Sequence, residues 1–162
     1  MADAASVLAR GAPSLRALGR YGGLVAGANL AWEIAQLPFY TIWRDGTPGA
    51  ISFAVLHCTA GDALIAMTSV AIALFVTGRP RWPATGAVRV GLVATALGAA
   101  YTVFSEWLNV SVRGSWAYAP EMPVLPPLGT GLFPLLQWLV LPPLCLALTG
   151  RVMGTGSRGN AP

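Results

Sequence analysis

Four ionisable side chains lie inside long apolar stretches of this 162-residue chain. They are the carboxylates Glu33, Asp62 and Glu106 and the imidazole of His57. Carboxylates and an imidazole that are withdrawn from water and held together can act as general acid and base. We therefore treat Glu33, His57, Asp62 and Glu106 as candidate catalytic residues.

Other polar residues share helical spacing with these four. In the first apolar stretch, Asn29, Glu33, Gln36 and Tyr40 are separated by 4, 3 and 4 residues, which places them within an arc of about 60° on a helix. Such a stripe on an apolar helix predicts an inward-facing polar surface, because a polar group that faces lipid is costly.

The third apolar stretch repeats this pattern, because Ser105, Glu106 and Asn109 share one helical face. The last stretch contributes Gln137, and the segment before it contributes two interfacial aromatic residues. The candidate ligand-binding residues are Gln36, Tyr40, Asn109, Trp116, Tyr118 and Gln137.

The four apolar stretches are long enough to cross a bilayer, which takes about 20 helical residues. They span residues 21–43, 51–76, 87–110 and 128–148. Charged residues make up only 10% of the chain, against roughly 25% in soluble domains. The sequence predicts an all-α, four-helix transmembrane bundle in one domain, with tails at residues 1–20 and 150–162.

The arginines predict the orientation of this bundle. Eight of the ten lie in the two tails and the second connection, and only Arg44 and Arg113 lie in the other two connections. The positive-inside rule then places both termini in the cytoplasm. The predicted location is the bacterial inner membrane.

The connection at residues 111–127 is rich in proline and carries Trp116 and Tyr118. Proline disfavours helix there, and the aromatic rings suit a membrane interface. The sequence predicts an ordered periplasmic segment that folds over the outer end of the bundle. At 1.5 Å per residue, Glu33 and Asp62 are expected together near the midplane, with His57 and Glu106 closer to this segment.

The strings WEIAQLPFYTIW, HCTAGDALIA, YTVFSEWLN and GTGLFPLLQW resemble those of uncharacterised small four-span bacterial inner-membrane proteins. The resemblance covers most of the chain and implies the same four-span topology. It implies no activity, cofactor or partner.

Four functions remain open for the polar residues. They are a structural network that fixes helix register, a pocket for a lipid-like amphiphile, a membrane-embedded enzyme of the isomerase or hydrolase type, and a metal site. The sequence favours a small membrane protein that binds an amphiphile or stabilises a partner membrane complex, with the enzyme as the alternative. The metal site is the weakest, because no ExxH or HxxxH pair occurs. The cofactor is unknown from the sequence. The expected partners are the lipid bilayer, an amphiphilic small molecule, and a membrane protein or a second copy of the chain, whereas scattered arginines do not indicate nucleic acid.

Overall fold

The structure is a computed structural model that describes residues 14–79 and 82–156, with side chains described as far as residue 150. It is mostly helical, at 77%, which confirms the predicted all-α class. Most of the predicted N-terminal tail and part of the C-terminal tail lie outside the described residues.

The first long helix, α1, covers Leu15–Gln36. It begins at Ser14, whose hydroxyl accepts a hydrogen bond from Ala17 N at 3.3 Å, as an N-cap residue does. It ends where Pro38 follows, in a 3-10 turn at Leu37–Phe39. The helix of the first apolar stretch, predicted at 21–43, thus begins earlier and ends at Gln36, because Pro38 follows. It is not among the helices that are apolar enough to cross a membrane.

A short helix, α2, covers Ile42–Asp45 and leads into α3, which covers Pro48–Thr77. The helix α4 covers Ala87–Glu106 and continues as a π-helical turn at Trp107–Val112. The strands β1, at Val124–Leu125, and β2, at Thr130–Gly131, form a small antiparallel hairpin. The last helix, α5, covers Leu132–Gly156.

The four long helices pack in a ring, in which α1 contacts α3 and α5, and α4 also contacts α3 and α5. The apolar core fills the half of the ring that lies near the N-terminus of α1. Trp82, in the connection between α3 and α4, is 1% exposed there and packs with Tyr21, Val70 and Val90. This connection therefore closes that end of the core.

The opposite end of the ring is covered by the segment at residues 113–131, which we call the outer segment. It pairs with the chain that follows α1, because Thr41 N donates to Ala117 O at 3.0 Å and Ala119 N donates to Phe39 O at 2.9 Å. Ala119 and Met122 are buried. The outer segment therefore packs on the helices as part of the fold.

Three helices are long and apolar enough to cross a membrane, namely Pro48–Thr77, Ala87–Val112 and Leu132–Gly150. Large apolar side chains on them are exposed, including Phe53, Phe75, Leu92 and Leu144. A water-soluble protein rarely exposes so much apolar surface. We conclude that this is a membrane protein.

Gly23 and Gly27, four residues apart on α1, make no close helix contact within the fold, because a Cβ at either position would meet nothing within 4 Å. The close helix contact is made instead by Gly98 of α4, against the indole ring of Trp138. The ring occupies the place that a side chain at position 98 would take.

Candidate functional site

The side-chain amide of Gln137, near the start of α5, is the centre of a buried hydrogen-bond network. Its Nε2 lies 2.7 Å from Asn29 Oδ1, 2.8 Å from Asp62 Oδ2 and 3.2 Å from Glu33 Oε1. An amide nitrogen carries two hydrogens, so these three acceptors share two donors. Gln137 is 2% exposed and thus joins three helices inside the ring.

A second amide, that of Gln36 at the end of α1, continues the network. Its Nε2 donates to Glu33 Oε1 at 2.9 Å and to Gln137 Oε1 at 3.3 Å. Its Oε1 accepts from Trp32 Nε1 at 3.2 Å. The side-chain nitrogens of Gln36 and Gln137 thus donate only to carboxylate and amide oxygens of this network.

The carboxyl groups of Glu33 and Asp62 are neighbours, because both lie within hydrogen-bonding distance of the same Gln137 nitrogen. Two carboxyl groups held at one donor can share a single proton. One of them could then serve as an acid and the other as a base.

Glu106, at the end of α4, lies in a second group of contacts under the outer segment. Its carboxylate accepts a hydrogen bond from the Tyr118 hydroxyl, and the same hydroxyl oxygen accepts from Gly131 N at 2.8 Å. Tyr118 therefore connects α4 with the hairpin before α5. Burial and the neighbouring Glu106 carboxyl raise the pKa of the Tyr118 hydroxyl above its usual value.

Two aromatic residues lie between these groups of contacts and the surface. The Tyr40 ring packs on Tyr118, with centroids 5.5 Å apart. The Trp116 indole lies beside Glu106, and its Nε1 is buried with no hydrogen-bond partner of acceptable geometry among the described residues. Tyr40, Trp116, Tyr118 and Asp62 are all partly exposed.

The outer segment also forms an ion pair at the surface. Arg44 Nη2 lies 2.6 Å from Glu121 Oε1, and both side chains are about half exposed. This contact lowers the pKa of Glu121. It adds a third attachment of the outer segment to the chain between α1 and α3.

His57 does not belong to the site, and the expectation that it lies near Glu106 is wrong. It is exposed on the outside of α3, where its ring stacks on Phe53 with centroids 5.4 Å apart. The physical reason is its spacing from Asp62, since five residues correspond to about 140° around a helix. With Asp62 facing inward, His57 faces outward.

Asn109 is also separate from the network. Its Nδ2 donates to the Ser105 carbonyl at 2.9 Å and to Ser105 Oγ at 3.2 Å. The chain is π-helical from Trp107, and the wider turn changes the direction of every later side chain. For this reason the predicted polar face of α4 ends at Glu106 and does not include Asn109.

The structure brings together Glu33, Gln36, Asp62 and Gln137, and it places Tyr40, Glu106, Trp116 and Tyr118 beside them. It adds two side chains that are absent from the predicted site residues, Asn29 and Trp32. Asn29 lies on the predicted stripe of α1 and is 2% exposed, so helical spacing alone could have assigned it. Trp32 carries no comparable signal.

No group of three or more His, Cys, Asp or Glu side chains that could hold a metal ion occurs in the described part of the chain. Comparison of the chain with protein-family models, with curated proteins and with solved structures finds no match. The site therefore has to be interpreted from its own chemistry.

Proposed function

We propose that this chain is a small four-helix transmembrane bundle with both termini in the cytoplasm, and that its polar site binds the polar end of a lipid-like amphiphile. The outer segment then lies on the periplasmic side of a bacterial inner membrane. The positive-inside distribution of the arginines supports the orientation.

One observation carries the binding proposal. Three carboxyl groups, those of Glu33, Asp62 and Glu106, come from three helices and face one interior, and no cation pairs with them among the described residues. Buried carboxyl groups are usually paired or fully hydrogen-bonded. Here each carboxyl group accepts through one oxygen, namely Glu33 Oε1, Asp62 Oδ2 and Glu106 Oε2, which leaves the second oxygen of each as an acceptor for a bound molecule.

The position of the site favours an amphiphile. The polar side chains occupy the half of the ring next to the outer segment, and the exposed faces of the helices are apolar. A molecule with a polar end and a hydrocarbon chain would place its polar end among the carboxyl groups and its chain along the helices. The partly exposed side chains of Tyr40, Asp62 and Trp116 mark the side from which it would enter.

The experiment is to purify the protein in mild detergent and identify bound small molecules by mass spectrometry. The wild type should retain one class of amphiphile in near-stoichiometric amount, and the paired variant Glu33→Gln/Asp62→Asn should lose it while remaining folded. Tyr101→Phe, on the exposed face of α4, is the matched control. Equal recovery of the same lipid from all three proteins would refute binding at this site.

A second function is favoured by the Glu33 and Asp62 carboxyl groups, which accept from the same Gln137 nitrogen and could share one proton. A membrane-embedded enzyme of the isomerase or hydrolase type would use these two groups for proton transfer. His57 takes no part in this alternative, because it lies outside the site. Conversion of the bound amphiphile by the wild type and not by Asp62→Asn would select the enzyme over the binding protein.

A further inference from the structure

The side of α3 that faces away from the other helices carries two polar side chains on an otherwise apolar ridge. We call this surface the His57 ridge, and its residues fall within about 60° of one another on the helix. They are Phe53, His57, Leu64, Thr68 and Phe75, and all five are exposed. Phe53 and Leu64 are each 69% exposed and Phe75 is 88% exposed, so nothing in the described fold covers the ridge.

Both polar residues lie inside the hydrocarbon core, about 6 Å from its boundaries when this 30-residue helix is centred on a core of about 30 Å. The helix α3 is one of the three candidate spans, and it runs from Pro48 to Thr77. His57 and Thr68 are each nine residues from an end of it, or about 13 Å at 1.5 Å per residue. Lipid chains provide no hydrogen-bond partner at such a depth.

Neither side chain satisfies its hydrogen-bonding groups within the described fold. Thr77 and Thr149 donate their hydroxyls to the carbonyl four residues earlier, at 2.7 and 2.8 Å. Within residues 14–79 and 82–150, Thr68 forms no bond of this kind, and His57 makes only its ring contact with Phe53. Polar side chains in membrane helices ordinarily bond across to another helix.

We propose that the His57 ridge is the interface at which a second copy of this chain packs, α3 against α3, about a twofold axis along the membrane normal. Two copies inserted in the same orientation place their α3 helices parallel. Each residue near such an axis then meets its own counterpart at the same depth. Thus His57 faces His57 of the second copy, and Thr68 faces Thr68.

The chemistry of the two polar residues fits a self-complementary contact. A neutral imidazole has one donor and one acceptor, and a hydroxyl has both functions in one group. Each can therefore bond to an identical side chain. A carboxylate or a guanidinium would repel its counterpart, and the ridge contains neither.

The shape of the ridge also permits close approach. Ala60 and Gly61 flank His57, and a Cβ added at Gly61 would meet nothing within 4 Å. Small residues at a membrane helix interface let the two backbones come together, so that short polar side chains reach across. The proposal uses residues on the outside of α3 and is independent of what the polar site binds.

The test is energy transfer between donor-labelled and acceptor-labelled full-length protein in liposomes, as a function of the protein-to-lipid ratio. The wild type should dimerise, and His57→Leu/Thr68→Val should associate about tenfold more weakly, because both cross-helix hydrogen bonds are lost. Tyr101→Phe, on α4, should behave as wild type. Both ridge positions are exposed, so the variants should keep the wild-type melting temperature of the monomer in detergent.

Disulfide trapping identifies the surface independently. In a background of Cys58→Ala and Cys145→Ala, Leu64→Cys should form an oxidised dimer in the membrane, and Leu92→Cys on α4 should not. A protein that stays monomeric at every ratio overturns the proposal. So does an equal yield of crosslinked dimer from Leu92→Cys, or dimerisation that the double variant leaves unchanged.

Discussion

Gln137 Nε2 donates to Asp62 Oδ2 over 2.8 Å, and this bond joins α5 to α3, which stand diagonally opposite in the ring. Neighbouring helices in the ring contact each other extensively, whereas α3 and α5 contact each other little. Among the described residues, this amide provides the side-chain hydrogen bond that joins the diagonal pair.

We expect Gln137→Leu to lower the free energy of unfolding by about 1–3 kcal/mol, because cross-helix hydrogen bonds in membranes contribute about 0.6 to 1.7 kcal/mol each. The substitution removes the bonds to Asp62, Asn29 and Glu33 together. Equilibrium unfolding in mixed micelles measures the change, with Tyr101→Phe as the control. A leucine variant as stable as the wild type would mean that the diagonal bond is not formed.

Two glycine substitutions should change the free energy of unfolding in different directions or by different amounts. Gly98→Ala would drive a methyl group into the Trp138 ring, and overpacking of this kind costs about 1–3 kcal/mol. Gly23→Ala adds a methyl group in open space and should be neutral, or should stabilise α1 by up to about 1 kcal/mol through helix propensity. Equilibrium unfolding of both variants in the same micelles measures this difference. A Gly98→Ala protein as stable as Gly23→Ala would contradict the close packing of Trp138 on Gly98.

Tyr118 should make the outer segment sensitive to alkaline pH. Its pKa is higher in the folded protein than in the unfolded chain, so its contribution is complete below a pH of about 10 and is lost as the pH rises beyond that value. The wild type should therefore become more accessible to protease at the outer segment above pH 10. Tyr118→Phe should be cleaved faster at neutral pH and should show a smaller further increase at high pH. Parallel pH curves for the two proteins would contradict the role of Tyr118 in holding the outer segment.

The orientation can be tested with reporter fusions. Fusions after Arg81 and Arg151 should report the cytoplasm, and a fusion near Glu121 should report the periplasm, because the arginines lie mainly on the side of the termini. A cytoplasmic signal from the fusion near Glu121 would contradict the proposed four-span topology.

The helical spacing of the polar residues predicted much of the site. Glu33 and Gln36 share a stripe on α1 in the sequence, and the structure joins both to Gln137. Spacing succeeds there because α1 is a regular helix as far as Gln36. It fails for Asn109, because a π-helical turn begins at Trp107 and no residue type announces such a turn.

The position of His57 shows another limit of reasoning from depth. The sequence places His57 and Glu106 at similar levels, but depth along the axis says nothing about direction around it. The angle between His57 and Asp62 around the helix axis shows that the two side chains face different sides of α3. The contact of Tyr118 with Glu106 and Gly131 could not be predicted either, because it depends on how the outer segment folds back on the helices.

The burial of Trp82 has a consequence for any molecule that enters the polar site. Trp82 closes the apolar half of the ring, and no carboxylate or basic side chain is buried among the described residues of that half. For the proposed binding function, a ligand would find no polar path through the apolar half and would return to the leaflet from which it came. Its exchange should therefore be governed by concentration in that leaflet and should carry no electrical current across the membrane.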